Sequence, residues 1–325
     1  MSARVLVIGG AGYIGSICAR VFSDAGHRIV TLDNLSTGHR GAVSGPFIEG
    51  DIRDRKLLQE VLRSEPFDAV LHFAAKSVVG HSVHQPAHYF DVNVGGTIGL
   101  VQEMLDAGVR RMVFSSTCAI YGTPLTLPLT EDLPFAPVSP YGETKAMVER
   151  FLALCREREG LQVTCLRYFN AAGAMLDGSL GEAHDPETHL IPLAIQAAMG
   201  RRPPLKLFGT DYPTRDGTCV RDYIHVLDLA DAHLRALKQL LEGDSGDGYN
   251  VGTGQGTTVR EVLAATGRAV GTPVPHAPAP RRAGDPAALY AQSDKARLTL
   301  GWEPRFTDLD DIVSSAVKWA RSPQF

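Results

Sequence analysis

A tyrosine and a lysine lie four residues apart at the start of a predicted helix, in the segment SPYGETKAMVERFLALCRER. Ser139 is the predicted N-cap and Pro140 the first helical residue. Tyr141 and Lys145 are then one turn apart on the same helix face. A tyrosine must lose about 3 pKa units to act as a base near pH 7, and an ammonium about 5 Å away supplies about 3 kcal/mol at an effective dielectric of 20. The spacing therefore favours proton abstraction from a hydroxyl group.

A hydroxyl residue precedes this helix at the end of a predicted strand, where the segment VFSST (113–117) finishes with Thr117. Thr117 is placed to bond the same substrate oxygen as Tyr141. The alternative is a β-branched residue that only favours the strand.

The second chemical motif is GGAGYIG, which places Gly9, Gly12 and Gly15 between a predicted strand and a predicted helix. Glycines let the chain turn sharply and let a pyrophosphate approach the backbone, while the helix N-terminus presents free N–H groups to the phosphates. Asp33 ends the next strand, where a carboxylate binds a ribose 2′-OH and disfavours a 2′-phosphate. These features predict NAD rather than NADP. Otherwise Asp33 is a turn residue before Asn34.

A further acidic residue, Asp51, follows the short strand-like run FIE. Its position is compatible with two functions, since it either faces the adenine or caps the helix that follows. The sequence leaves both interpretations open.

Apolar runs alternate with helical patterns through the first half of the chain, which positions these motifs. The predicted strands are 4–10, 27–34, 67–75, 110–122 and 162–170, and the predicted helices are 11–26, 55–65, 86–107 and 140–159. Strands separated by helix-length crossovers predict an α/β fold with a doubly wound, Rossmann-type parallel sheet.

Beyond residue 170 the loops lengthen, and a Pro-rich stretch spans 273–286. We expect 1–170 to form the dinucleotide-binding domain and 171–325 to form mainly a smaller, interleaved substrate lobe. The helix 226–242 and the strand-like 248–252 lie within a segment, 222–254, that returns to the first domain.

Composition excludes several classes of function. The chain has 325 residues, with 32 Lys and Arg against 36 Asp and Glu, so its net charge is −4. This balance argues against nucleic-acid binding and against an anionic membrane surface, and no apolar run is long enough to span a bilayer. Five widely spaced cysteines and an N-terminus unlike a signal peptide indicate reduced thiols and a cytoplasmic protein.

The segment GEAHDPETHL (181–190) lacks a convincing ligand set, so we expect a solvated loop and no metal.

In this order, the glycine motif, a Ser/Thr at a strand end and Y-x-x-x-K resemble an extended short-chain dehydrogenase/reductase. Further segments are similar to the UDP-galactose 4-epimerases of that family. They are HFAA (72–75), NVGGT (93–97), FSSTCAIYG (114–122), SPYGETK (139–145), LRYFNAAG (166–173), GTCVRDYIHVLDLADAH (217–233) and PRRAGDPAALYA (280–291).

The resemblance implies functional residues along most of the chain. The implied catalytic residues are Thr117, Tyr141 and Lys145. Residues implied to bind NAD are Gly9, Gly12, Tyr13, Ile14, Gly15, Asp33, Asn34, Asp51, Ile52, Phe73, Ala74, Ala75, Asn93, Tyr141, Lys145 and Phe169. Residues implied to surround a UDP-sugar are Thr117, Tyr141, Asn170, Leu190, Phe208, Arg221, Tyr223, Arg282, Asp285 and Leu289. Arginine suits bidentate phosphate binding, although an Arg beside an Asp is also a common surface ion pair.

The resemblance also implies an activity, the NAD-dependent epimerisation of a UDP-hexose at C4 through a 4-keto intermediate. Helices 86–107 and 140–159 would pair across a homodimer. Cys118 and Ala119 stand where sugar-nucleotide dehydratases carry an Asp–Glu pair, which disfavours elimination. Leu289 stands where a bulky Tyr restricts other members, so some activity on UDP-N-acetylhexosamines is expected. Lys76 lies one position before a lysine of some members, which leaves its role open.

Two other functions remain as alternatives. One is C4 epimerisation of a UDP-pentose or UDP-uronate on the same scaffold. The other is a catalytically inactive dinucleotide sensor, which would have no need of the hydroxyl, tyrosine and lysine set.

Overall fold

The chain folds into thirteen strands and eleven α-helices within residues 2–282 and 284–325, the part that the computed structural model describes. The strands are β1 (Arg4–Ile8), β2 (Arg28–Asp33), β3 (Phe47–Glu49), β4 (Ala69–His72), β5 (Arg111–Thr117), β6 (Gln162–Tyr168), β7 (Asn170–Ala172), β8 (Leu205–Phe208), β9 (Val220–His225), β10 (Gly248–Val251), β11 (Gly256–Thr258), β12 (His276–Ala279) and β13 (Ala288–Leu289). The helices are α1 (Tyr13–Asp24), α2 (Arg55–Ser64), α3 (Val79–His84), α4 (Pro86–Tyr89), α5 (Gly96–Asp106), α6 (Pro140–Glu159), α7 (Leu190–Ala198), α8 (Val226–Leu241), α9 (Val259–Val270), α10 (Asp294–Leu300) and α11 (Leu309–Arg321). None of these helices is both long and apolar enough to cross a bilayer.

Seven strands form the main sheet in the order β10-β6-β5-β4-β1-β2-β3, and all of its pairs are parallel. The central strands are mainly apolar because both faces of the sheet are covered. In β1, for example, Leu6 and Ile8 pack on one face while Val5 and Val7 pack on the other. The predicted Rossmann-type fold is confirmed.

Two predicted elements differ in detail from the structure. The single helix expected over 86–107 is divided by a π-helical segment, Phe90–Gly95, between α4 and α5. The strand expected over 110–122 ends at Thr117, where the chain tightens into a 3-10 turn, Cys118–Tyr121. The wider π turn and the short turn change where side chains point, and both occur beside predicted site residues.

A second, four-stranded sheet is assembled late in the chain around β9. Strand β9 pairs with β7 and β13 in parallel and with β11 in antiparallel orientation. This small sheet begins where β6 of the main sheet ends, so it extends the carboxyl edge on which the predicted catalytic residues lie.

Candidate active site

The glycines of the loop between β1 and α1 are explained in two ways, by contacts within the protein and by open space beside the loop. A Cβ on Gly9 would lie 2.5 Å from the backbone nitrogen of Ala74, and a Cβ on Gly15 would lie 2.2 Å from the carbonyl oxygen of Gly9. Both glycines are therefore required by packing within the chain. A Cβ on Gly12 would have its nearest neighbour at 3.5 Å, so the protein alone does not require glycine there. Close approach of a ligand does explain it.

The start of α1 also leaves donors available. Its N-cap is Gly12, which has no side chain to accept the first helical N–H groups. Such groups bind phosphate well at a helix N-terminus. The residues present at this loop therefore fit the pyrophosphate of NAD.

Asp33 holds this loop in place from the end of β2. Its carboxylate accepts hydrogen bonds from the backbone N–H of Ala11 at 2.9 Å and of Leu35 at 2.8 Å. Each carboxylate oxygen has a further lone pair, so Asp33 can still accept a bond from a ribose hydroxyl. The interpretation as a simple turn residue is therefore incomplete.

Asp51 lies next to this position through a polar network. Its carboxylate accepts from the side chain of Asn34 at 2.8 Å and from Arg53 at 2.9 Å, and these bonds, that from Arg53 foremost, hold the pKa of Asp51 well below its ordinary value. The N-cap of α2 is Asp54, which accepts from the N–H of Leu57 at 3.0 Å. The possibility that Asp51 caps this helix is wrong.

The loop after β4 lies against the glycine loop. The N–H groups of Phe73 and Ala74 both donate to the carbonyl of Ile8. Asn93, from the π-helical segment, accepts from the N–H of Lys76 at 2.8 Å and donates to Thr144 at 3.0 Å. This amide therefore ties the loop to α6.

The remaining implied cofactor residues lie in two places: Tyr13, Ile14 and Ile52 share hydrophobic clusters with Phe73 or Ala74, whereas Phe169 packs with Ile120 and Tyr121. Tyr13, Ile52 and Phe169 are buried, whereas Ile14 and Ala75 are partly exposed.

The catalytic helix begins as the sequence predicts. Ser139 caps α6 by accepting from the N–H of Gly142 at 3.1 Å, and Pro140 is the first helical residue. Thr117, at the end of β5, lies close enough to Tyr141, at the start of α6, for its hydroxyl to influence the phenol. Burial raises the pKa of Tyr141 to about 12, and the hydroxyl of Thr117 opposes part of this rise.

Lys145 is buried one turn further along α6. Its Nζ donates to the carbonyl of Ser115 at 2.7 Å and lies 4.6 Å from the ring centre of Phe114. Burial lowers its pKa to about 7, which the carboxylate of Glu149 partly counteracts. In the protein alone, burial of the phenol therefore dominates the pKa of Tyr141, and the lowering expected for the working site stays a prediction.

A buried ion pair behind Lys145 was not predicted from the sequence. Glu149 accepts three hydrogen bonds from Arg167 of β6 and one from Ser116 of β5. Arg167 also donates to the hydroxyl of Tyr121 at 3.0 Å. The one available signal is spacing, because Glu149 follows Lys145 by four residues on the same face of α6.

The small sheet places several implied substrate residues side by side. In its register Asn170 pairs with Tyr223, and Leu289 pairs with Arg221. The side chain of Arg221 forms an ion pair with Asp285. Leu289 and Cys118, the residue after Thr117, both pack against one hydrophobic cluster that contains Ile120 and Ala291.

Two further implied residues form a separate contact. The guanidinium of Arg282 lies 4.2 Å from the ring centre of Phe208, a cation–π arrangement that orients the arginine. Leu190 is the first residue of α7 and packs against the cluster that contains Tyr223.

The loop 181–189 is less solvated than expected. Glu182 and Glu187 have side chains only 7% and 6% exposed, and they meet His184 and His189. The sequence missed this convergence because the four residues are brought together by the path of a loop and not by regular spacing.

The parallel sheet, the glycine loop and the tyrosine–lysine helix together define a dinucleotide-dependent enzyme of the Rossmann class. Comparison with known proteins narrows this class. The NAD dependent epimerase/dehydratase family matches residues 5–252. A UDP-glucose 4-epimerase of Rhizobium meliloti is 53% identical over 317 residues, covering 97% of this chain and 96% of that protein.

Solved structures agree with the family match. The crystal structure of a UDP-glucose 4-epimerase from Brucella ovis in complex with NAD has a TM-score of 0.95 and 48% identity, covering 97% of this chain and 98% of that one. The crystal structure of a UDP-glucose 4-epimerase from Bifidobacterium longum in complex with NAD⁺ and UDP has a TM-score of 0.93 and 36% identity. The match covers 98% of this chain and 99% of that one. The chain belongs to the NAD dependent epimerase/dehydratase family, among its UDP-glucose 4-epimerases.

Proposed function

We propose that this chain interconverts UDP-galactose and UDP-glucose by inverting the hexose at C4, with Thr117, Tyr141 and Lys145 as its catalytic residues. The observation that carries the assignment of these residues is that Thr117, at the end of β5, lies close enough to Tyr141 to oppose the rise of its pKa, while Lys145 is buried one turn further along the same helix. A threonine hydroxyl and a phenol that are this close can both bond one substrate oxygen, and in the proposed reaction the Lys145 ammonium stabilises the deprotonated phenol.

The three catalytic residues have different roles at the 4-OH group of the sugar. The phenolate oxygen of Tyr141 takes the hydroxyl proton, while the hydroxyl of Thr117 donates a hydrogen bond to O4. After the 4-keto sugar has turned its other face toward the cofactor, Tyr141 returns the proton to O4. Lys145 stabilises the phenolate and binds the nicotinamide ribose.

NAD is held by the glycine loop, Asp33 and the amide-anchored loop after β4. When bound, NAD⁺ supplies a hydride acceptor that returns the hydride and a positive charge beside the phenol. Because the protein's own contacts leave the pKa of Tyr141 raised, the protein must keep this charged ligand in place for the phenol to ionise.

Glu149 acts on this machinery through Lys145. Its carboxylate opposes the effect of burial on the lysine, so it favours the ammonium form that stabilises the phenolate. Arg167 and Ser116 hold the carboxylate in place. Glu149 is a positioning residue, since no contact with the reacting atoms is needed.

The nucleotide is bound by Arg221, Arg282 and Asp285, and Asn170, Tyr223 and Leu190 complete the surroundings of the UDP-sugar. The Arg221–Asp285 ion pair and the Phe208 ring orient the two arginines. The position of Leu289 at the hexose is supported by its register with Arg221 and by its packing against the hydrophobic cluster that Cys118 also contacts. Some activity on UDP-N-acetylhexosamines follows if leucine leaves room for the 2-substituent.

A homodimer through α5 and α6 is supported by apolar side chains that these helices leave uncovered. Ile98, Met147 and Leu154 are 43%, 43% and 59% exposed. Met147 and Leu154 are seven residues apart on α6 and therefore share a face. The five cysteines are free thiols, which agrees with a cytoplasmic location.

The test of the activity is conversion of UDP-galactose to UDP-glucose by purified protein without added NAD. Product shows that a retained nicotinamide is recycled within the site. If none forms, the assay is repeated with NAD to replace cofactor lost in purification. Continued absence of product contradicts the UDP-hexose assignment and favours a UDP-pentose or UDP-uronate substrate, to be tried next.

A further inference from the structure

Four side chains with metal-ligating groups converge in the loop between β7 and α7. One nitrogen or oxygen each of Glu182, His184, Glu187 and His189 lies within 4.8 Å of all the others. The Nδ1 atoms of His184 and His189 lie 2.9 and 2.6 Å from Oε1 of Glu182, and Nδ1 of His189 lies 3.1 Å from Oε1 of Glu187.

The two carboxylates of this cluster are almost fully buried, with exposures of 7% for Glu182 and 6% for Glu187. Among the described residues, neither forms an ion pair with a lysine or an arginine; the ion-pair partners of both are histidines. Burying carboxylates is costly unless positive charge balances them. With neutral imidazoles, the cluster has a charge of −2, which one divalent cation balances.

We propose that Glu182, His184, Glu187 and His189 bind a divalent first-row transition metal ion, and that Zn²⁺ suits the site best. Zinc accepts imidazole nitrogen and carboxylate oxygen in four-coordinate sites at about 2.0 to 2.2 Å. Such bond lengths place tetrahedral ligand atoms about 3.4 Å apart. The close pairs here are 2.6 to 3.1 Å apart, so these pairs must open by about 0.3 to 0.8 Å to admit the ion. Magnesium and calcium prefer oxygen ligands alone.

The surroundings of the loop indicate a structural ion. The indole N–H of Trp319 in α11 donates to the carbonyl of Glu182 at 2.8 Å, and the ring of His39 lies 2.6 Å from the carbonyl of Ala183. The loop is thus fixed to two distant parts of the chain. An ion here would hold the segment that leads directly into Leu190 and α7.

The test is uptake of Zn²⁺ by the full chain after removal of metal with a chelator. Equilibrium dialysis followed by elemental mass spectrometry is expected to give one tightly held ion per chain. His184→Ala is expected to lose this ion. The double variant His84→Ala/His88→Ala, which removes two exposed histidines elsewhere, is expected to keep it.

Two additional readouts exclude misfolding as the cause. Co²⁺ bound to the wild type is expected to give the visible absorption of a four-coordinate site, and Zn²⁺ is expected to raise the Tm of the wild type and the double control but not of His184→Ala. His189→Ala, whose imidazole is half exposed, is the second variant and is expected to behave like His184→Ala.

The proposal is overturned if the wild type takes up no ion, or if folded His184→Ala and His189→Ala proteins both keep it. It is also overturned if the ion is lost from the His84→Ala/His88→Ala control and from neither loop variant. In each case the cluster is an imidazolium–carboxylate network without a metal.

Discussion

Tyr141 and Lys145 show how burial acts on two groups that must both be charged. Burial disfavours charge, so it raises the pKa of the tyrosine to about 12 and lowers that of the lysine to about 7. Near neutral pH the phenol is therefore protonated and the lysine is close to its midpoint in the protein alone. Small electrostatic changes in the site then have large effects on the active form.

Tyr141→Phe tests the base directly. The variant keeps the ring but lacks the group that takes the proton, so kcat is expected to fall at least about 100-fold. Bound NAD, measured after denaturation, is expected to remain close to one per chain. Near-normal turnover in a folded variant contradicts the assignment of the base.

Glu149→Gln tests whether the Glu149 carboxylate keeps Lys145 in its ammonium form. Loss of the carboxylate removes an interaction that raises the pKa of Lys145, so this pKa falls further below its present value of about 7. The ammonium is then lost at lower pH, and the alkaline limb of the kcat–pH profile is expected to move to lower pH.

Two controls accompany this variant. Glu149→Asp is expected to restore most of the profile, and Glu143→Gln, on the same helix and outside this network, is expected to leave it unchanged. The Gln variant also leaves Arg167 buried without its partner, at a cost of about 3 to 5 kcal/mol, so circular dichroism must show that it is folded. An unshifted profile in the folded variant rules out the proposed effect on Lys145.

Leu289→Ser tests the hexose pocket. The smaller side chain makes room for a 2-N-acetyl group, so the ratio of kcat/KM for UDP-N-acetylglucosamine to that for UDP-glucose is expected to rise about tenfold or more. Leu298→Ser, on the surface of α10, serves as the matched control and is expected to leave the ratio unchanged. If neither the wild type nor Leu289→Ser converts the N-acetyl substrate, Leu289 is not the restricting residue.

At the scale of elements, two glycines in the turn from β1 to α1 are present for different structural reasons. Gly15 is fixed by the nearby carbonyl of Gly9, whereas Gly12 has free space beside it. Gly15→Ala is therefore expected to lower the free energy of unfolding by about 1 to 3 kcal/mol, as overpacking does.

Gly12→Ala is expected to lower that free energy by about 1 kcal/mol, since alanine is a poorer N-cap than glycine but would have no neighbour closer than 3.5 Å. Its bound NAD is nevertheless expected to fall markedly. Urea unfolding and cofactor content of the two variants measure both effects. Full NAD retention in Gly12→Ala would show that no ligand approaches this position closely.

Regular elements were predictable because their patterns are local. The helix Pro140–Glu159 was predicted with its correct cap, and the alternation of strands and helices gave the main sheet, including the return of Gly248–Val251. The π-helical segment was not predicted, since its apolar spacing resembles that of an α-helix. Its geometry depends on Asn93 bonding Lys76 and Thr144, which are distant contacts.

Within the site too, features set by local spacing were predictable and features set by contacts distant in sequence were not. Tyr141 and Lys145 share one helix turn, so their proximity follows from sequence spacing alone. Glu149 was missed because its partners, Arg167 and Ser116, come from two other strands. The raised pKa of Tyr141 in the protein alone was not predicted, because burial is a property of the folded chain. The division of the chain near residue 170 stays a prediction.

At the scale of the whole molecule, the uncovered apolar face of α6 predicts the assembly. Leu154→Glu places a charge where a partner helix would pack, and sedimentation velocity is expected to show a shift from dimer to monomer at micromolar concentration. Leu298→Glu alters a more exposed leucine on a different helix and is expected to remain dimeric. A wild type that sediments as a monomer contradicts the proposed interface.

The order of strands in the main sheet has a consequence for how the molecule is made. Its edge strand β10 is synthesised after β7, β8 and β9 of the smaller sheets, so on the ribosome the main sheet lacks that edge until these strands have emerged. Helix α8, which covers β5 and β6, also emerges late. During translation the main sheet therefore has an open edge and an uncovered face until α8 and β10 have been synthesised. The two lobes should accordingly acquire stability together, late in synthesis.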